Sequence, residues 1–232
     1  MVAVARRRER LRELQREIEG EGLPAAMIAV CDVGDRVQVE ALQRQVEGEW
    51  GTVDVLVNNA GRGAYGKIEE IELSELEVLV QTNLLGAIYC TRVFLPAMLE
   101  QGCGHVVFIS SVLGELPSPE HAVYGATKFA VTGLAENLEH ELADRGIKVA
   151  VVEPGLVQTE FAGISGTPLQ RFKEVPSKSA EKVAELALRA IERERRYCVA
   201  DPYAHMAILL RRHFPRFMHW IFRRVFRYRY RP

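Results

Sequence analysis

The amino-acid sequence predicts an α/β fold in which a doubly wound parallel sheet carries helices on both faces. Residues 25–31 and 105–109 are apolar runs of the kind that form strands buried on both sides. Between such runs, apolar residues recur at helical spacing, as at Leu11, Leu14 and Ile18. Because strands that alternate with amphipathic helices form parallel sheets, we expect a three-layer architecture. A chain of 232 residues that is 48% hydrophobic can bury one large core.

The elements follow one another in a regular strand–helix order. Glycines and helix-capping residues mark the ends of most helices, for example Gly51 at a helix end and Asp35 and Ser179 at helix starts. In chain order, we predict strands at residues 2–5, 25–31, 53–58, 105–109, 147–153 and 197–200, and helices that end near residues 20, 51, 101, 145 and 192. The third helix, from about residue 74 to 101, is the longest and contains Gly86 and Pro96, and its length suits a subunit interface.

Three polar residues stand out around the strand at residues 105–109. Ser111 lies just beyond its carboxyl end, and Tyr124 and Lys128 follow on the next helix. Residues four apart on a helix are neighbours, so the tyrosine and lysine share a face. A phenol has a pKa of about 10, and a nearby ammonium lowers that value by favouring the phenolate. We therefore predict a proton-transfer site in which Ser111 orients the reacting oxygen.

These residues and several other motifs resemble the short-chain dehydrogenase/reductase family between residues 6 and 201. The matching positions, in order, are Arg6, Asp32, Val33, Asn58, Asn59, Ala60, Gly61, Asn83, Ser111, Tyr124, Lys128, Pro154, Gly155 and Thr159. The resemblance implies a Rossmann-like fold for residues 1–201 and an NAD(P)-dependent oxidoreductase. Its reaction would interconvert a carbonyl and a secondary alcohol on a small or lipid-like apolar substrate.

The resemblance also implies a role for each catalytic residue. Tyr124 would exchange a proton with the substrate oxygen, and Ser111 would hydrogen-bond that oxygen. Lys128 would lower the tyrosine pKa and hold the nicotinamide ribose. Asn83 would hold a water that relays protons to Lys128; the alternative is that Asn83 is simply exposed on the surface.

Cofactor contacts are implied at four places along the chain. Asp32 and Val33 would meet the adenine, although an Asp here could instead cap the next helix. The small residues Asn59, Ala60 and Gly61 would let the backbone approach the cofactor ribose. The nicotinamide amide would be held by Pro154, Gly155, Val157 and Thr159, and residues 160–179 would form a mobile lid over the substrate.

Arginines follow the first strand at the position where this family selects its cofactor. Arg6, with Arg7 assisting, would pair with a 2′-phosphate, and no acidic residue precedes Glu9 to accept hydrogen bonds from a ribose. We therefore expect NADP(H) rather than NAD. The alternative is that the arginines only solvate the start of a helix.

One departure from the family affects the expected activity. The sequence shows no Thr-Gly-x-x-x-Gly-x-Gly turn, the segment that cradles the cofactor pyrophosphate, and residues 1–7 look like the second strand of the family fold. We therefore expect the first βα unit to be absent from this chain, with reduced stability and cofactor affinity. The alternative function is a catalytically inactive relative that serves as a binding or membrane-associated scaffold.

The C-terminal segment, residues 202–232, differs in chemistry from the rest of the chain. Residues 203–232 contain eight arginines, eight of the 18 aromatic residues and no Asp or Glu, although the whole chain has a net charge of −1. On a helical wheel Phe217, Ile221 and Val225 fall opposite Arg216 and Arg223, and Pro215 divides the segment into two helices. This pattern fits docking of residues 203–230 on an anionic membrane surface; packing on the protein itself or on a second subunit is the alternative.

The remaining composition indicates a cytoplasmic homo-oligomer, peripheral on the inner face of a membrane if the C-terminal segment docks there. Cys31, Cys90, Cys103 and Cys198 have no metal-binding or disulfide spacing, which suits a reducing compartment. Neither a signal peptide nor an apolar run of about 20 residues is evident. We expect no metal and no nucleic-acid partner.

Overall fold

A computed structural model describes residues 1–168 and 177–229 of the chain. Its strands are β1 (Val2–Ala5), β2 (Met27–Val30), β3 (Val55–Asn58), β4 (Gly104–Ile109), β5 (Ile147–Glu153), β6 (Leu156–Gln158), β7 (Ser177–Ser179) and β8 (Tyr197–Val199). All pairings among them are parallel. The main sheet has the order β3-β4-β5-β8, β1 pairs with β2, and β6 pairs with β7.

Helices follow most of the strands, as the alternating sequence pattern predicts. They are α1 (Arg8–Gly20), α2 (Arg36–Trp50), α3 (Leu73–Val80), α4 (Gly86–Gln101), α5 (Ala122–Leu142), α6 (Glu160–Ile164), α7 (Ala180–Glu192), α8 (Pro202–His213) and α9 (Pro215–Arg229). Short 3₁₀ turns occur at Ile68–Glu70 and Val112–Gly114. The predicted caps are confirmed: Asp35 accepts hydrogen bonds at the start of α2, and Ser179 accepts one at the start of α7.

Alternate residues of the central strands face two separate helix layers. On one side, Val106 and Phe108 of β4 pack with residues of α4 and α5, including Met98 and Val131. On the other side, Val107 of β4 and two residues of β5 pack against α7. The three-layer, doubly wound architecture predicted from the sequence is therefore confirmed.

The sheet is interrupted between β1 and β3. Within the described residues, β1 pairs only with β2, and β3 pairs only with β4. Val4 on β1 and Val55 and Val57 on β3 are exposed, although valines in a parallel sheet are normally covered. The facing edges of β1 and β3 are therefore open in the part of the chain that the structure describes.

A continuous helical segment of 29 residues, Leu73–Gln101, is long and apolar enough by length and composition to cross a membrane. It is not a uniform helix, because Gln81–Leu85 between α3 and α4 forms a π-helical turn. Its buried residues, including Asn83, Phe94 and Met98, pack into the protein core. The predicted long helix is therefore confirmed from Leu73 to Gln101, with a π-helical turn inside it.

The first C-terminal helix packs on the body of the protein. Asp201 caps α8 by accepting hydrogen bonds from the backbone N–H groups of Tyr203 and Ala204, at 2.8 and 2.9 Å. Ile208 is buried, and Arg212 forms ion pairs with Glu115 and Glu136 of the body. The predicted division at Pro215 is confirmed, since α8 ends at His213 and α9 begins at Pro215.

We predict that residues 1–232 alone form a marginally stable protein. The facing edges of β1 and β3 lack strand partners within the described residues, and exposed valines such as Val4, Val55 and Val57 each lose part of the roughly 1.5–3 kcal/mol that full burial contributes. Such losses are large beside a typical domain stability of about 5–15 kcal/mol. Urea unfolding followed by circular dichroism measures this stability.

The matched comparison is the same chain extended at its N-terminus by the first strand, Gly-rich turn and helix of a family member. We expect the extension to raise the free energy of unfolding by several kcal/mol, because it pairs both open edges. A chain of residues 1–232 that unfolds cooperatively with ordinary stability, and gains nothing from the extension, would contradict the prediction.

Candidate active site

Ser111 lies at the carboxyl end of β4, where the chain turns toward α5. Its Oγ accepts a hydrogen bond of 3.1 Å from the backbone N–H of Leu113 and so caps the 3₁₀ turn that follows. The turn approaches α5 closely at Gly114, where a Cβ atom would lie 2.8 Å from both Ser110 Oγ and Thr132 Oγ1. Only glycine permits this approach, which brings Ser111 against the helix that carries Tyr124.

Tyr124 and Lys128 occupy the first two turns of α5, as predicted. Lys128 is 5% exposed, and its Nζ donates a hydrogen bond of 2.9 Å to the carbonyl oxygen of Ile109 at the end of β4. The same Nζ lies 5.9 Å from the centre of the Tyr124 ring. The three residues of the predicted proton-transfer site therefore meet at the junction of β4 and α5.

Burial dominates the protonation of this pair. It raises the pKa of Tyr124 to about 12, although a hydrogen bond with Ser111 acts in the opposite direction. Burial also lowers the pKa of Lys128 to about 8, because a buried ammonium loses its hydration. Lys128 is not among the groups that shift the pKa of Tyr124 in this structure, so its expected lowering of that pKa stays a prediction. The side chain holds a neutral phenol, the form that donates a proton to a substrate oxygen.

Asn83 lies in the π turn between α3 and α4 and is 2% exposed. Its Oδ1 accepts a hydrogen bond of 2.7 Å from the Arg62 N–H, and its Nδ2 donates to the Arg62 carbonyl at 2.9 Å and to Thr127 Oγ1 at 3.1 Å. The alternative of an exposed Asn83 is wrong. The π turn directs this side chain into the core, where it joins the loop after β3 to α5, one residue from Lys128.

The loop that follows β3 reaches the catalytic pair. A Cβ atom at Gly61 would lie 3.6 Å from both Asn83 Oδ1 and Lys128 Nζ. The segment Asn59, Ala60 and Gly61, predicted to approach the cofactor ribose, is thus placed beside the lysine that was assigned to the same ribose. The turn at Pro154 and Gly155 also lies close, because the Pro154 carbonyl accepts a hydrogen bond of 2.9 Å from the N–H of Val112, next to Ser111.

At the opposite end of the site, Arg6 lies beside Asp32. Their charged groups are 3.4 Å apart, and Asp32 Oδ1 also accepts a hydrogen bond of 3.0 Å from the Gly34 N–H. The capping of α2 belongs to Asp35, so Asp32 is not the helix cap and that alternative is wrong. Asp32, Val33 and Arg6 are therefore available at the edge where the adenine end of the cofactor was predicted.

Arg7 contacts a carboxylate as well as solvent. Arg7 and Arg10 both form ion pairs with Glu160, at 3.2 and 2.8 Å. Glu160 begins α6, directly after Thr159, which caps that helix by accepting a hydrogen bond of 3.3 Å from the Phe161 N–H. A carboxylate thus occupies the guanidinium group of Arg7, which was expected to assist in binding a phosphate.

Helix α6 lies over the catalytic tyrosine. The ring of Phe161 is 5.8 Å from that of Tyr124, and a Cβ atom at Gly63 would lie 2.9 Å from the Phe161 ring. Val157 lies in β6, just before this helix. Of the lid predicted at residues 160–179, residues 169–176 lie outside the described part of the chain.

Sequence reasoning missed a buried polar network directly below the site. Glu153 is fully buried; its Oε1 accepts a hydrogen bond of 3.0 Å from Thr132, and its Oε2 one of 2.5 Å from Tyr197. Thr132 also contacts Ser110, whose Oγ donates to the Lys128 carbonyl. An acidic residue directly after the apolar run at residues 149–152 was the signal that could have revealed this network.

Comparison with known proteins identifies the family to which this arrangement belongs. The family model described as short chain dehydrogenase matches residues 1–169. The chain belongs to the short-chain dehydrogenase/reductase family. It is therefore classed as an oxidoreductase that acts on hydroxyl groups with NAD(P), and the predicted Rossmann-like fold is confirmed.

Several known proteins are similar to this short-chain dehydrogenase/reductase. It is 34% identical over 192 residues to the NADP-dependent 3-hydroxy acid dehydrogenase YdfG of Escherichia coli, which covers 80% of this chain and 76% of the relative. A gluconate 5-dehydrogenase from Burkholderia cenocepacia, solved with NADP and tartrate, is 27% identical with a TM-score of 0.78, covering 88% of this chain and 85% of that one. A family member from Burkholderia phymatum, solved with NAD, is 28% identical with a TM-score of 0.84, covering 91% and 83%.

From the buried carboxyl of Glu153 we predict that the free energy of unfolding depends on pH. Burial raises its pKa to about 7 from an ordinary value of 4.5. Between those two pH values the folded state holds a proton that the unfolded state releases. The contribution of Glu153 to the free energy of unfolding is therefore complete below about pH 4.5 and is lost as the pH rises through about 7. We expect Glu153→Gln to remove this loss, which amounts to roughly 3 kcal/mol.

Urea unfolding of both proteins from pH 4.5 to 8 measures the effect. The wild-type free energy of unfolding should fall relative to that of Glu153→Gln across this range and then run parallel to it. Two curves that are parallel over the whole range would show that Glu153 does not titrate there.

Proposed function

We propose that this chain is an NADP(H)-dependent oxidoreductase that interconverts a carbonyl and a secondary alcohol on a small or lipid-like apolar substrate. The observation that supports the proposal most directly is the meeting of Ser111, Tyr124 and Lys128 at one buried junction. Bound NADP(H) would supply or accept the hydride there. Tyr124, held as a phenol, donates its proton to the substrate oxygen during reduction, and Ser111 orients that oxygen.

Lys128 and Asn83 support this proton transfer from behind the tyrosine. The lysine would hold the nicotinamide ribose, since its ammonium lies beside the Gly61 loop that was assigned to the same group. Asn83 would sustain the relay of protons to Lys128, and it also ties the loop to α5 through the backbone of Arg62. Pro154, Gly155, Val157 and Thr159 would hold the nicotinamide amide near Ser111.

The choice of NADP(H) rests on the arginines that follow β1. Arg6 lies at the predicted adenine edge, 3.4 Å from Asp32, and Arg7 and Arg10 together already bind one carboxylate. Guanidinium groups that gather around a carboxylate also suit a phosphate, because both anions accept two parallel hydrogen bonds. The NADP-dependent relative from Escherichia coli and the NADP complex from Burkholderia cenocepacia support the same choice. The NAD complex from Burkholderia phymatum keeps NAD as the second candidate.

An apolar substrate fits the rings around Tyr124. Phe161 lies on one side and His121 on the other, with its ring centre 6.3 Å from that of Tyr124. Burial lowers the pKa of His121, so its ring is neutral at physiological pH. The relatives named after 3-hydroxy acids and gluconate favour a small hydroxy acid as the competing substrate class.

The second candidate function is an inactive relative that serves as a binding or membrane-associated scaffold. The open edges of β1 and β3 favour it, because the pyrophosphate cradle of the family belongs to the βα unit expected between them. The assembled catalytic residues favour the enzyme. We further propose that the protein works in the cytoplasm as a homo-oligomer, with the long Leu73–Gln101 segment at the subunit interface, and attaches peripherally to a membrane.

Removal of one phenol oxygen tests the catalytic assignment. In the chain extended by the family's Gly-rich βα unit, Tyr124→Phe should lower the rate of carbonyl reduction at least about 100-fold, because general acid catalysis typically contributes 10²–10⁴-fold. NADPH binding, measured by fluorescence, should stay nearly unchanged. The matched control is Tyr203→Phe, which removes the same atom from an exposed tyrosine on α8.

Retention of most turnover by Tyr124→Phe would contradict the assignment. If the extended wild type reduces neither apolar ketones nor keto acids, yet binds NADPH, the scaffold function is favoured instead. Comparing the two substrate classes at equal concentration also decides between an apolar and a carboxylate substrate.

The proposed preference for NADP(H) over NAD leads to a separate prediction. Arg6→Ala should weaken NADPH binding roughly 10- to 150-fold, since a charge-assisted contact contributes about 1.5–3 kcal/mol, and should leave NADH binding almost unaffected. Arg16→Ala, which removes an exposed arginine from α1, is the control of equal charge. Equal losses for NADPH and NADH in Arg6→Ala would show that Arg6 only supports the fold.

A further inference from the structure

The second C-terminal helix, α9, has an inner side that is buried or partly buried and an outer side that is exposed. On the inner side, Met218 is buried, and Ile221, Phe222 and Phe226 of the same helix are partly buried. Helix α8, by contrast, is held against the body by Arg211 and Arg212, whose guanidinium groups contact Glu115. The arginines of α8 therefore already have partners within the protein.

The outer side of α9 combines arginines with two large aromatic residues. At 100° per residue, one sector of about 120° contains Arg216, Phe217, Trp220, Arg223, Arg224 and Arg227. All six are exposed, and Phe217 and Trp220 expose 52% and 53% of their surface. Their rings stack with centres 6.3 Å apart, and the guanidinium of Arg224 lies 5.2 Å from the Trp220 ring.

This arrangement corrects the helical wheel drawn from the sequence. That wheel placed Phe217 on an apolar face opposite the arginines. In the structure, Met218, Phe222 and Phe226 form the inner stripe, so Phe217 and Trp220 share the outer sector with the arginines. The reason is packing: the stripe that is buried within the protein determines which residues remain outside.

The charges of this sector are uncompensated. No ion pair involves Arg216, Arg223, Arg224 or Arg227 in the part of the chain that the structure describes. Residues 203–232 contain no Asp or Glu, so the nearest sequence offers no carboxylate to them. A face of four arginines without an acidic partner is suited to an external polyanion.

We propose that the outer sector of α9 is a docking surface for an anionic lipid bilayer, on which the helix lies parallel to the membrane plane. Arginine binds lipid phosphate in two-pronged fashion, and tryptophan favours the level of the headgroups, where its ring is apolar and its N–H is hydrated. A nucleic acid or an acidic protein would satisfy the arginines, but only a bilayer offers an apolar layer directly beneath the charged one for Phe217 and Trp220.

A symmetric contact with a second copy fits this surface poorly. An isologous interface brings the same patch of both subunits together, so four arginines would face four arginines. Such like-charge contacts are strongly unfavourable. The docking surface also lies apart from Tyr124 and Lys128, so membrane binding does not depend on the proposed catalytic function.

Vesicle sedimentation with the full chain tests the proposal. The vesicles contain phosphatidylcholine alone or phosphatidylcholine mixed with phosphatidylserine, at low and at high salt. We expect binding to the anionic vesicles that weakens with salt, because exposed charges are screened. The double variant Arg223→Gln/Arg227→Gln should bind about 25-fold more weakly, since each surface arginine contributes about fivefold. Trp220→Ala should weaken binding at both salt concentrations.

The control is Arg12→Gln/Arg16→Gln, which removes two exposed arginines from α1 and should bind like the wild type. Circular dichroism verifies that each variant is folded, and the Tyr124→Phe variant should bind vesicles normally. Absence of binding to anionic vesicles, or equal losses in both double variants, would overturn the proposal. A change of oligomeric state in Arg223→Gln/Arg227→Gln without vesicle binding would also overturn it and assign the sector to a second copy of the chain.

Discussion

The hydrogen bond from Lys128 Nζ to the carbonyl oxygen of Ile109 connects the two elements on which the site is built. It joins the end of β4 to α5, and thereby places Tyr124 of the helix beside Ser111 of the strand. The bond also satisfies an ammonium that is almost completely buried. Burial lowers the lysine pKa to about 8 from 10.5, a cost of about 3 kcal/mol for the charged form. A buried ammonium group of this kind is stable only where hydrogen bonds and packing hold it in place.

Two sets of buried hydrogen bonds surround this contact. Asn83, directed inward by the π turn, holds the Arg62 backbone against Thr127. Glu153 of β5 accepts hydrogen bonds from Thr132 of α5 and from Tyr197 of β8, and so links the three elements. Because these buried groups have their hydrogen bonds made, the helix that carries Tyr124 is restrained on two sides. Preorganisation of this kind is what proton transfer requires, since the donor must already lie where the substrate oxygen will be.

The break in the sheet and the ion pairs of α6 both lie outside the junction of β4 and α5. Between β1 and β3, two strand edges remain unpaired, and the exposed Val55 and Val57 show that a covering layer is lacking there. The junction of β4 and α5 that brings Ser111, Tyr124 and Lys128 together lies further along the sheet, so it is assembled in spite of the break. Glu160 at the start of α6 holds Arg7 and Arg10 by ion pairs, which joins α6 to the start of α1.

The sequence by itself determined the order of strands and helices, the caps Asp35 and Ser179, and the identities of Ser111, Tyr124 and Lys128. These follow from local rules, because periodicity, capping chemistry and spacing along one helix depend on neighbouring residues only. Only the tertiary structure decided the protonation of Tyr124, since desolvation depends on everything packed around the ring. It also decided that Glu153 and Thr132 meet, that Asn83 points inward, and that Phe217 and Trp220 lie among the arginines of α9. Each of these depends on which faces of distant elements come together, and sequence periodicity does not contain that information.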